Sequence, residues 1–75
     1  MNSLDHILIF KTNISTPRDI TFVKDVLDKH ELIDEWNVDQ ADVDCVLRVI
    51  SRHLKPADII DLLSECNYDC AELTD

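Results

Sequence analysis

Cys45, Cys66 and Cys70 are the side chains of this chain with the most distinctive chemistry to offer. Thiolates select soft ions such as Cu(I), and they also bind zinc. Cys66 and Cys70 are the sharpest metal candidates, but their spacing is loose, and two sulfurs make a weak zinc site, which takes four ligands. Cys45 or one of His6, His30 and His53 would have to join them. The competing account makes all three cysteines small core hydrophobes, as buried cysteine usually is. Cys45 then alternates onto the inward side of a strand, and Cys66 falls on the apolar stripe of a helix. The core account is the expectation here, with Cys66 and Cys70 kept as the metal candidates.

Oxygen chemistry has less to work with. Asp39, Asp42 and Asp44 crowd one turn, where a hard cation could visit. A calcium loop of the EF-hand kind also needs its glycine and its distant glutamate, and both are missing. A solvated acidic turn is the simpler expectation. Arg48, Arg52, His53 and Lys55 concentrate positive charge before a helix start, which is where an anion can sit. In a chain of net charge −9, internal pairing with Asp and Glu is expected instead. No serine or cysteine stands in a recognisable nucleophile motif with histidine, so no catalytic residue is assigned.

The elements that position these residues follow from periodicity. Residues 7–12 are apolar and branched, as a buried strand requires. Thr16 can cap a helix, Pro17 suits its first position, and Asp19 is an acid in its first turn. That helix should run to about His30, with Ile20, Val23 and Leu27 as its stripe and Phe22 and Val26 widening it. A strand is expected over 32–39, with the sole tryptophan, Trp36, and Val38 inward. A hairpin turn over 39–42 leads to a strand with Val43, Cys45, Leu47 and Val49 on one face. Asp44, Val46, Arg48 and Ile50 take the other. Pro56 opens a second helix carrying Ile59, Leu63 and Cys66. Asn67 ends it in a left-handed conformation, and residues 68–73 form a last short strand. The order strand, helix, strand, strand, helix, strand predicts an α+β domain over residues 1–75. Its expected fold is a ferredoxin-like sandwich, a four-stranded antiparallel sheet with two helices on one face.

Size and composition narrow the function. Seventy-five residues make one domain with a thin core. Seven basic against 16 acidic residues is the wrong balance for nucleic acid or anionic membranes, and favours a basic partner or a cation. Glycine is absent, which excludes glycine-rich phosphate cradles and leaves Asn or Asp for turns of positive φ. The run Ile7-Leu8-Ile9-Phe10 is too short to span a membrane, and Asp5 precedes it without a basic flank, unlike a signal peptide. An odd number of cysteines without an export signal points to reduced thiols and a cytoplasmic location.

Several short stretches resemble the heavy-metal-associated family of copper chaperones and transporter domains. Val23-Lys24-Asp25-Val26-Leu27 is similar to the V-x-x-V-L of that family's first helix. Trp36-Asn37-Val38-Asp39 resembles its second strand, Leu54-Lys55-Pro56 with Ile59-Ile60 the start of its second helix, and Asn67-Tyr68-Asp69-Cys70 the G-Y-x-A after it. The family's metal motif is M-x-C-x-x-C, between the first strand and first helix. Aligning the helix puts Ile14, Thr16 and Asp19 on the motif's Met and two Cys positions. None is a thiol, and Thr and Asp are hard oxygen donors. Helix capping explains Thr16 and Asp19 without any ligand.

The resemblance therefore implies a fold that has lost its metal-binding cysteine pair. The expected function is a non-catalytic interaction module with no cofactor, docking a protein partner or forming a homodimer through the open sheet face or an edge. Val46, Arg48 and Ile50 are expected on that face, with Val46 and Ile50 exposed. The alternative is a soft-metal carrier or sensor for Cu(I) or zinc that uses relocated cysteines. A third comparison is with acylphosphatases, which share this element order and use an Arg in the first loop and an Asn on the second strand. Arg18 and Asn37 match those types, but the glycine-framed phosphate loop is missing, which leaves the match to chance.

Overall fold

The computed structural model describes residues 6–73; Asp5, the acid that precedes the run Ile7-Leu8-Ile9-Phe10, lies outside them. The elements are β1 (Ile7–Thr12), α1 (Pro17–Leu27), β2 (Glu35–Asp39), β3 (Val46–Ile50), α2 (Pro56–Glu65) and β4 (Cys70–Glu72). The four strands form one antiparallel sheet in the order β2-β3-β1-β4. Phe10 sits opposite Leu47, Trp36 opposite Val49, and Thr12 opposite Cys70. This is the ferredoxin-like sandwich that the element order predicts.

The two-layer arrangement follows from which side chains are apolar. Phe10, Leu47 and Val49 come from the inner strands, Val23 and Leu27 from α1, and Ile59 and Leu63 from α2. All are fully buried in one cluster, so both helices cover the same face. Burying such side chains contributes roughly 1.5–3 kcal/mol each. Side chains alternate along a strand, so Ile7, Ile9, Lys11, Val46, Arg48 and Ile50 occupy the uncovered face.

Helix boundaries are set by capping. The Thr16 hydroxyl accepts from the Asp19 amide at 3.1 Å, and the Asp19 carboxylate accepts from the Thr16 amide at 3.1 Å. This reciprocal box satisfies two donors that an uncapped helix start leaves orphaned. α2 has only half of it: Asp58 Oδ2 accepts from the Lys55 amide at 2.8 Å. Asn67 takes a φ of 66° just past α2, as expected of the residue that replaces a terminal glycine.

Several boundaries differ from the expectation. α1 stops at Leu27 rather than near His30, because the His30 amide turns back to the Leu27 carbonyl and the Ile33 amide to that of His30. β2 accordingly starts at Glu35. β3 starts at Val46, and Val43 is 96% exposed. The Asp42 side chain accepts from the Asp44 amide and its carbonyl from the Cys45 amide, curling the chain out of the strand. Cys45 is buried but off the strand, at a φ of 45°. That left-handed conformation fell to a cysteine, not to Asn or Asp. The buried Thr12 hydroxyl holds it by donating to the Cys45 carbonyl at 2.7 Å. Phe22 is 52% exposed rather than part of the core stripe. Its ring stands edge-on to Tyr68, with centroids 6.0 Å apart.

Candidate functional site

The loop between β1 and α1 is where the family resemblance would place metal, and its three motif positions have separate structural tasks. Ile14 is fully buried in the core. Its amide donates to Thr12 Oγ1 at 3.2 Å. Thr16 is the helix cap, and Asp19 closes the box. Asp19 Oδ2 also accepts from the Ser15 amide at 3.2 Å, while Oδ1 accepts from the Tyr68 hydroxyl at 2.8 Å. The Tyr68 hydrogen bond, followed by that of Thr16, holds the Asp19 carboxyl below its usual 3.8. Burial first, and then the bond to Asp19, raises the Tyr68 hydroxyl above 10.0.

Neighbouring elements close over the same loop. Gln40, in the turn after β2, donates from Nε2 to the Thr16 carbonyl at 2.9 Å and to the Ile14 carbonyl at 3.3 Å. Asn13 Oδ1 accepts from the Asp69 amide at 2.9 Å. Gln40 and Tyr68 escape a reading by motif because their partners lie 24 and 49 residues away. The loop is thus latched by protein groups: its oxygens serve backbone amides, a tyrosine and a glutamine.

The cysteines are spread over different surroundings. Cys45 is buried beside Thr12, whereas Cys66 caps the end of α2 and is partly exposed. Cys70 pairs with Thr12 on the helix-facing side of the sheet and packs against the core. Burial raises its thiol to about 11. Among the described residues, no three His, Cys, Asp or Glu side chains gather to hold a metal ion.

The acidic turn is occupied locally. Asp39 Oδ1 accepts from the Ala41 amide, Asp42 Oδ1 from the Asp44 amide, and Asp44 stands 3.9 Å from Lys11. Among the described residues, the expected pairing of Arg48, Arg52, His53 and Lys55 with Asp or Glu is not found: the ion pairs there are Lys11–Asp44 and Lys24–Asp28. These side chains are exposed to water, where an ion pair gains little against its ordering cost. Asn37 alternates with the inward Trp36 and Val38, so it faces away from the helix layer that carries Arg18.

The uncovered sheet face is more apolar at its centre than at its margin. Ile7 pairs with Ile50 and Ile9 with Arg48 across the inner strands, while Glu35, Asn37 and Asp39 line the β2 edge. Ile7 and Ile9 are partly buried, as is Ile50, which was expected to be exposed, and Arg48 is exposed. Val46 is only 5% exposed, contrary to expectation. It lies on a central strand opposite Asp39, and β1 flanks its other side, so neighbouring side chains cover it. No described helix is long and apolar enough to cross a membrane. No protein-family model matches the chain, and no curated protein matches it.

Proposed function

We propose that this chain is a non-catalytic interaction module. In this reading a heavy-metal-associated-like fold has lost its metal cysteines, and its uncovered sheet face docks a protein partner. The observation that carries the reading is that face: Ile7, Ile9 and Ile50 lie partly exposed at its centre, with Arg48 exposed among them. A sheet covered on one side leaves such a surface free for association. The latched loop supports the same reading, since Thr16 and Asp19 are engaged in capping and in the bond to Tyr68. A net charge of −9 opposes self-association and favours a partner over a second copy.

The test places a photo-crosslinking residue at Ile50 and, as control, at exposed Asp25, in cells of the source organism. A discrete protein adduct from position 50 alone, weakened by Arg48→Glu, is the expected result. Equal adducts at both positions, or none, would remove the reading, and a self-adduct would replace the partner with a homodimer. Competition of Cu(I) and zinc against calibrated chelators checks the metal alternative. Tight binding abolished by Cys66→Ser with Cys70→Ser would make the chain a soft-metal carrier instead.

A further inference from the structure

A second surface lies away from the sheet, where α2 meets two loops. The cleft there has a volume of about 430 Å³ and is lined by His30, Leu32, His53, Leu54, Asp58, Asp61, Leu62 and Glu65. One wall is a helical ridge: Asp58, Asp61, Leu62 and Glu65 fall at i, i+3, i+4 and i+7 of α2. The turn after α1 supplies His30 and Leu32, and the β3–α2 connector supplies His53 and Leu54. The buried Ser51 hydroxyl joins these walls, donating to the Leu32 carbonyl and accepting from the Leu54 amide at 3.1 Å.

Leu54 and Leu62 pack on the core and give the cleft an apolar floor, while Leu32 remains 42% exposed at its lip. Asp61 and Glu65 on the rim enter no ion pair among the described residues, and no Lys or Arg lines the cleft. Carboxylates and imidazoles are both present, yet no three of them gather to hold one metal ion. Carboxylates spaced along a ridge, above leucines, suit several cationic groups flanking an apolar side chain.

We infer that this cleft is a docking groove for a basic amphipathic peptide segment of a partner protein. A leucine-like anchor enters between Leu32, Leu54 and Leu62, and flanking lysines or arginines meet Asp61 and Glu65. The volume lies within the roughly 300–1,000 Å³ of ligand pockets, enough for an apolar anchor side chain and the groups that flank it. The overall negative charge steers such a segment in. This surface is separate from the sheet face, and either can fail without the other.

The test is an NMR titration of the full chain with a synthetic peptide alternating two lysines with one leucine. Controls replace every lysine with glutamate, or every leucine with serine. Amide shifts centred on His30, Leu32, Leu62 and Glu65, seen with the lysine–leucine peptide alone, are expected. Asp61→Lys with Glu65→Lys should weaken binding about tenfold or more. The charge-matched pair Asp25→Lys with Asp34→Lys, placed elsewhere, should weaken it much less. No shifts at millimolar peptide, or equal loss in both double variants, would overturn the groove. So would shifts centred on the sheet face, or zinc alone moving the same amides.

Discussion

The Tyr68 hydroxyl donates to Asp19 Oδ1 across 2.8 Å, joining the turn after α2 to the first turn of α1. Asp19 simultaneously caps its own helix. One carboxylate therefore ties a local capping motif to the tertiary fold.

That dual use predicts a pH dependence. The Asp19 carboxyl titrates below its ordinary 3.8 in the folded chain. Its stabilising contribution is therefore complete above the unfolded value and is lost as pH falls through the lower folded one. Carbon-detected NMR titration should find the Asp19 carboxyl below 3.8 in wild type and shifted upward in Tyr68→Phe. An unchanged value in the variant would show that Tyr68 is not the main cause.

Ile14 and Thr16, in the loop after β1, should respond differently to truncation. Ile14→Ala removes a fully buried side chain, and its expected cost is about 2–5 kcal/mol. Thr16→Ala removes a helix cap, at about 1 kcal/mol. Urea unfolding followed by circular dichroism separates the two. Equal small losses would mean that Ile14 is not part of the core.

The left-handed turn at Asn67 gives a backbone test. Asn67→Ala puts a Cβ without a compensating polar group at a φ of 66° and should cost about 1 kcal/mol. Asn67→Gly should leave stability unchanged or raise it, read from the same unfolding midpoints.

Cys70 should behave as a protected thiol. With its pKa raised to about 11 by burial, it carries little thiolate at pH 8, and alkylation should accelerate until the pH nears that value. A thiol raised from 9.0 in this way favours the folded state less as pH climbs past 9.0, because unfolding then releases a proton. Peptide mapping of iodoacetamide adducts against pH checks the rate. Fast labelling of Cys70 at pH 8 would contradict the packing.

The elements most legible in sequence are those specified by local chemistry. Thr16-Pro17-Arg18-Asp19 encodes its capping box within four residues. The alternation Leu47, Val49 and the stripe Ile59, Leu63 state which faces are buried. Asn67 announces a helix end because, without glycine, few residues accept positive φ. Less legible were features decided by competition between neighbours. Val43 continues the strand alternation, yet Asp42 curls the backbone first. Phe22 extends the apolar stripe of α1, yet its ring leaves the core and meets Tyr68.

The sequence by itself determined the element order, the acidic charge and the absence of thiols from the loop after β1. Each depends on residue identity or on spacing of a few positions. Only the tertiary structure decided that Gln40 and Tyr68 latch that loop, that Val46 is covered, and that His30, His53 and the α2 ridge line an open cleft. Those relationships join residues far apart in the chain, and no local periodicity encodes them. They exist only once burying Phe10, Leu47 and Leu63 has drawn the two layers together.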